Sequence, residues 1–261
     1  MDVYKKTDMG IHKMAHYQEG YSLINPDVLE SRGRLRKAEK IQRVFNEYKK
    51  NIPLGGILLD IGCSGGIIIS HISIPCTHTI GIDIDSDALK IAHSNIDNVA
   101  IDFICADGMH LPFHGDSIGV VLCNHVYEHL PDSGMLFAEI FRVLKPGGVC
   151  YCAAGNALSV IEGHYHLPFL SWVPKRLAHQ YLRIAGRGDY YYEKHLTWWQ
   201  LRKKLSKFII HDYTISIIRD PETFSSTDMI QPGSMVSRLP EWFLKYFYPL
   251  LPTWILMLEK P

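Results

Sequence analysis

Hydrophobic and polar positions change their rhythm several times along the chain. In Ser31–Lys50 the apolar residues Leu35, Ala38, Ile41, Phe45 and Tyr48 recur every three or four positions, a single helical stripe. From Ile57 the pattern breaks into short apolar runs: Ile57–Ile61, Thr79–Ile84, Ala100–Ala106, Ile118–Asn124 and Val149–Ala154. Each is too short for a helix and reads as a buried strand. Between them Gly65–Ser73, Ser86–Asn95 and Asp132–Leu144 carry helical spacing. Ser86 serves as a cap, and Lys145-Pro146-Gly147-Gly148 closes the last helix. Phe208–Ile218 and Trp254–Glu259 return to strand pattern. Strand and helix alternating in this way predict an α/β fold: a doubly wound, mostly parallel sheet of seven strands joined by right-handed crossovers.

Composition narrows the class. The 261 residues carry zero net charge at pH 7, which removes the basic footprint of a nucleic-acid binder and excludes that partner class. Six cysteines without C-x-x-C spacing, most of them in apolar runs, fit buried reduced thiols. Cys150 and Cys152 share one strand face, where packing explains them. The opening MDVYKKTDMG lacks a signal-peptide core and no run of ~20 apolar residues occurs, so a soluble, cytoplasmic protein is expected. Of the 29 aromatic residues 19 follow residue 150, including all five tryptophans. That shift separates residues 1–50 (a helical lead-in) and a core of 51–154 and 206–261 from an inserted helical cap, 155–205. The basic residues of the 31–50 helix, among them Arg34 and Lys37, read as a solvated face. Docking an anionic substrate is the sharper alternative.

The candidate chemistry lies in LLDIGCSGG (58–66), where an apolar strand ends in glycines. In doubly wound sheets ligands bind beyond the strand ends, at the point where strand order reverses. The dinucleotide pattern G-x-G-x-x-G fails here, with Ser64 and Ile67 at glycine positions. Asp83 in GIDID, 21 residues after Gly62, can accept from both hydroxyls of a ribose. Asp107 follows the third strand, where an adenine amino group could donate to it. An adenosine flanked by acids suits a cationic ligand better than a pyrophosphate.

Together with CADGMHLPF (105–113), VVLCNHVYEHL (120–130) and FRVLKPGG (141–148), these blocks resemble the class I S-adenosylmethionine-dependent methyltransferases, close to the "type 11" group. The resemblance covers roughly residues 50–154. Ser64 replaces a frequent glycine, Gly65 a frequent threonine and Gly119 a frequent aspartate. It implies a Rossmann-like methyltransferase fold with S-adenosyl-L-methionine as cofactor. Asp60, Gly62, Cys63, Ser64 and Gly66 would hold its methionine end, Asp83 and Ile84 the ribose, and Asp107 and Gly108 the adenine. Asn124 would face the amino group or the reacting centre.

Methyl transfer needs alignment and exclusion of water, and an oxygen acceptor also benefits from a base. His129 in NHVYEHL is the candidate base, with His125, His164, His166 and His195 as rivals. His164-Tyr165-His166 could form a metal pair, but no third ligand is evident, so no metal site is expected. The run Asn124-His125-Val126-Tyr127 lacks the Asn/Asp-Pro-Pro-aromatic signature of enzymes that methylate nucleobase or glutamine nitrogens. Tyr190, Tyr191, Tyr192, Trp198 and Trp199, with Arg183 and Arg187, are expected to shape the acceptor site. Parts of 164–201 resemble methyltransferases associated with cell-envelope glycans and glycolipids. The expected reaction is therefore O-methylation of a sugar or glycolipid. A small aromatic or quinone-like lipid is the alternative acceptor, and a non-catalytic cofactor-binding subunit the alternative role. The aromatic segment Glu241–Leu251 is expected to pack on the cap, with peripheral contact at a membrane surface as the sharper reading.

Overall fold

The computed structural model describes residues 17–24, 29–48, 56–96 and 100–261. The opening sixteen residues of the expected lead-in lie outside them. Seven strands form one sheet: β1 (Gly56–Ile61), β2 (Cys76–Asp83), β3 (Ile101–Cys105), β4 (Ile118–Asn124), β5 (Leu144–Gly155), β6 (Ile209–Asp212) and β7 (Thr253–Glu259). Their order is β3-β2-β1-β4-β5-β7-β6, with β7 antiparallel to both neighbours and the other strands parallel.

Alternation along the strands divides the core in two, because successive side chains point to opposite faces. Leu59, Ile61, Val121, Cys123, Cys150, Cys152, Leu256 and Leu258 join Leu136, Phe137 and Ile140 in one cluster. The latter three belong to a helix over Ser133–Val143. Leu58, Val120, Leu122, Tyr151, Ile255 and Met257 face the other way and pack on Ala38, Ile41, Val44 and Phe45. Those four form the buried stripe of a helix over Ser31–Glu47, as its spacing predicts. Three strand cysteines, Cys123, Cys150 and Cys152, fill core space, and all six cysteines are free thiols.

Several boundaries differ from the sequence expectation, each for a local reason. The helix after β1 is one turn, Ile67–Ser70. Asp85, not Ser86, caps the helix Ser86–Asn95, its carboxylate accepting from the Asp87 and Ala88 amides. The stretch 208–218 is not one strand: β6 ends at Asp212, whose Oδ1 accepts the Thr214 amide at 2.7 Å and starts a helix, Thr214–Arg219. Its isoleucines favour a strand by propensity, but Ile217 and Ile218 are buried from the helix.

The expected cap is less helical than its length suggested. Between Asn156 and Thr197 there is one α-helix, Lys175–Ile184, and a single 3₁₀ turn. This segment holds a small cluster of its own, Leu170, Ala178, Leu182 and Tyr191. The next helix, Trp198–Lys204, returns to the main core through Leu201. The aromatic segment 241–251 forms a helix, Glu241–Tyr246, against Thr214–Arg219 that leaves Trp242 and Tyr246 exposed, and then a 3₁₀ turn, Tyr248–Leu250, that packs on Trp198–Lys204. Among the described residues no helix is long and apolar enough to cross a membrane.

Candidate cofactor and acceptor site

The chain runs outward from β1 to β2 and β3, then returns to place β4 on β1's other side. The crevice opened by that reversal is a cavity of ≈ 350 Å³. Its floor comes from the strand ends: Gly62 and Ser64 after β1, Asp83 and Ile84 at β2, Gly108 after β3, and Asn124, His125 and His129 after β4. Tyr17, Tyr21, Arg34 and Lys37 close one side, and His164, Tyr165 and Glu193 another.

The glycine turn has two separate physical reasons. Gly62, at φ +71°, runs so close to Val126 that a Cβ would sit 2.9 Å from its Cγ2. Ser64 also takes positive φ, at +50°. Its amide donates to Asp83 Oδ2 at 2.8 Å, while Asp83 Oδ1 accepts the Asp85 amide at 2.9 Å. Each carboxylate oxygen keeps a further lone pair for a ligand. Gly66 serves packing instead. It stands outside the lining at φ +72°, and a Cβ there would meet Phe103 and Ile96 at 2.6 Å.

Of the expected cofactor residues, Gly62, Ser64, Asp83, Ile84, Gly108 and Asn124 line the cavity, whereas Asp60, Cys63, Gly66 and Asp107 do not. Cys63 is buried behind the turn against Gly81. Asp107 holds the wall: its Oδ1 accepts the Tyr17 hydroxyl at 2.5 Å and the Met109 amide at 2.7 Å. Asp60 is 4% exposed. Burial pushes its carboxyl up to about 8, against the pull of the Arg34 guanidinium, with Asp83 adding to the rise. Four buried polar atoms of lining residues, Ser64 Oγ, Asn124 Nδ2, His129 Nδ1 and Glu193 Oε2, have no hydrogen-bond partner among the described residues. Orphaned groups of this kind suit a polar ligand that satisfies them.

Arg34 and Lys37 overturn the plain reading of their helix as a solvated face, because both line the cavity. Burial, then repulsion from Arg34 and Lys40, lowers the Lys37 ammonium to about 8. The signal lay in the charge run, but only tertiary packing shows which turn faces inward.

At the cavity's far end stand His125, Glu128, His129, His164 and Glu193. Glu128 is fully buried and accepts or shares a proton with His125 Nδ1 at 3.1 Å. Burial alone would raise its carboxyl, but the His125 contact and the surrounding imidazoles hold it down at about 2. His129 Nδ1 lies 4.0 Å from Glu193 Oε1. Burial first, with the neighbouring imidazoles opposing Glu128, lowers His129 to about 4. The ring is therefore neutral near pH 7.

Side chains that no spacing in the sequence connects meet in space around His164, with Glu128 and His129 on one side. Glu162 and His195 join His164, while His166 takes no part. The aromatic set expected to shape the acceptor site is elsewhere. Tyr191 is 4% exposed within the small cluster, and Trp198 stacks at 4.8 Å on Tyr248 and 5.2 Å on Trp254. Tyr190, Tyr192, Trp199, Arg183 and Arg187 do not line the cavity; Tyr17, Tyr21 and Tyr165 do.

Comparison with known proteins agrees with this geometry. Residues 59–152 match the model of the methyltransferase domain family. An uncharacterized methyltransferase of Mycobacterium leprae (strain Br4923) is 33% identical over 112 residues, 43% of this chain and 42% of that protein. A ubiquinone biosynthesis O-methyltransferase of Brucella anthropi is 30% identical over 157 residues, 56% of this chain and 62% of that one. The match thus spans about half the length of these relatives. The crystal structure of an S-adenosylmethionine-dependent methyltransferase from Mesorhizobium loti shares the fold, with a TM-score of 0.52 over 82% of this chain and 95% of its own at 16% identity. The span that matches the methyltransferase domain model, residues 59–152, contains the glycine turn, Asp83 and Asn124.

Proposed function

We propose that the chain is an O-methyltransferase that modifies a hydroxyl group of a sugar or glycolipid. One observation carries the reading: a single cavity joins the glycine turn and Asp83 to a second end lined by Lys37, His129, His164, Tyr165 and Glu193. Asp83 would take the ribose hydroxyls, the Gly108 backbone the adenine, and Ser64 and Asn124 the amino-acid end. Asp60, beneath them, keeps its proton near pH 7 and would supply negative charge to a cationic cofactor only on losing it. When bound, the cofactor supplies an electrophilic methyl group on a sulfonium. The chain's own tasks are to align the acceptor oxygen, exclude water and receive the hydroxyl proton. Neutral His129 can receive that proton, though a weak base near pKa 4 contributes less than one matched to pH 7.

On this reading residues 51–154 and 206–261 form the cofactor-binding core, and 155–205 supply acceptor contacts through His164, Tyr165 and Glu193 rather than through tryptophans. The mix of Arg34 and Lys37 with tyrosines supports a polar, hydroxyl-bearing acceptor with an anionic group. The Brucella relative's name favours a second reading, a phenolic or quinone-like lipid.

Incubation with methyl-labelled S-adenosylmethionine and separate fractions of polar glycans, lipids and small phenols tests this. Label entering glycan or lipid-linked sugar is the expected result. Label confined to phenols or apolar lipids selects the second reading. Binding of S-adenosylhomocysteine without transfer to any fraction would leave a binding protein and overturn both.

A further inference from the structure

Segments far apart in sequence converge on one spot beside the far end of the cavity, with Glu162 buried and His164 at its exposed edge. Glu162 is fully buried, and its Oε2 accepts the backbone amides of His164 and Tyr165, each at 2.7 Å. That fixes Oε1, which lies 3.0 Å from His164 Nδ1 and 3.0 Å from His195 Nε2. The His195 side chain is 6% exposed, and its second nitrogen, Nδ1, is buried without a partner among the described residues. Glu128, 0% exposed, likewise keeps Oε2 unpartnered. Gly155 ends β5 with bare backbone against this spot. A Cβ there would come 2.8 Å from His195 Nδ1 and 3.6 Å from Glu128 Oε1.

We propose that Glu162, His164 and His195 are the protein ligands of a divalent transition-metal site, with Glu128 as a second carboxylate beside it. Their donor atoms all lie within 4.8 Å of one another. Tetrahedral ligands at 2.0–2.1 Å from an ion stand roughly 3.4 Å apart, so occupancy requires the 3.0 Å contacts to open by only a few tenths of an ångström. Two buried carboxylates crowded together are costly unless paired or bound to a cation. Two imidazoles and a carboxylate, without thiolate, suit a borderline ion such as Zn²⁺ or Co²⁺ better than Mg²⁺ or Ca²⁺. Three protein ligands leave a position open, the pattern of reactive sites. His164 also lines the cavity, so that position faces the acceptor end. This last step rests on the methyltransferase reading: an acceptor hydroxyl bound there would lose its proton more readily.

The test uses the full chain, stripped with a chelator and then titrated. Cobalt(II) should develop the intense visible bands of a four- or five-coordinate ion, and calorimetry with Zn²⁺ should show one equivalent bound at micromolar affinity or better. A cobalt spectrum that stays that of the aqueous ion, with no stoichiometric Zn²⁺ binding, overturns the site whatever any variant does. Glu162→Gln and His195→Gln should each weaken Zn²⁺ by roughly 100-fold or more. Unchanged affinity in both also overturns it. S-adenosylhomocysteine binding, read in parallel, separates the two readings. Its absence from the wild-type protein would sink the methyltransferase reading while a bound metal stood.

Discussion

The Ser64 amide donates to Asp83 Oδ2 at 2.8 Å, tying the turn after β1 to the end of β2 across the floor of the cavity. One carboxylate thereby shapes the turn and faces the ligand. Asp83→Ala should weaken S-adenosylhomocysteine binding in calorimetry by about 1–3 kcal/mol, the range for leaving such donors without a charged partner. Unchanged affinity would remove Asp83 from the site.

Asp60 carries the pH dependence. Its unfolded carboxyl ionises near 3.8, but the folded one ionises near 8. Between these values the folded state keeps a proton that the unfolded chain has lost, so this residue's contribution to stability falls as pH rises from about 4 to 8 and is level above. Asp60→Asn mimics the protonated form. In cofactor-free protein its melting temperature should gain on wild type steadily across that window. The same variant should bind S-adenosylmethionine more weakly at pH 8, where it has lost the charge. A melting difference that does not change with pH would show that Asp60 does not titrate in this way.

Gly66 and Gly62 lie four residues apart yet should respond differently. Gly66→Ala combines strained positive φ with a 2.6 Å approach to Phe103, so it should destabilise by about 1–3 kcal/mol in denaturant unfolding. Cofactor affinity per folded molecule should stay within about twofold, since Gly66 is off the lining. A selective loss of affinity would return Gly66 to the binding site.

Trp198→Ala should act on stability, not on acceptor choice. The ring packs on Tyr248 and Trp254, and its loss should cost about 2–4 kcal/mol, below the usual range for a fully buried tryptophan. Turnover per folded molecule should hold. Replacing Tyr165, which lines the cavity, should instead raise the acceptor KM. If Trp198→Ala changed KM at constant stability, the helix Trp198–Lys204 would belong to the acceptor site.

Local pattern alone determined much of this protein. Alternation in β1, β4, β5 and β7 sets which residues enter each core, because a strand's side chains must point to opposite faces. The stripe of Leu35, Ala38, Ile41 and Phe45 sets which side of its helix meets the sheet. The ordered motifs at 58–66, 81–85 and 120–130 located the ligand crevice, since a glycine turn and an acid at consecutive strand ends fall together wherever strand order reverses. Tertiary structure decided the rest. Gly66 looks like a ligand glycine in sequence, but Phe103 occupies its space. Asp107 reads as an adenine acceptor, and only the fold shows that its Oδ1 is held by Tyr17, 90 residues away. Arg34 and Lys37 cannot be told from solvated charges until their helix is docked. Glu162, His164 and His195 have no spacing that marks them as a set. Only the path of the chain after β5, and the bare backbone of Gly155, brings them to one point, because a side-chain cluster depends on where loops return and not on the period of any element.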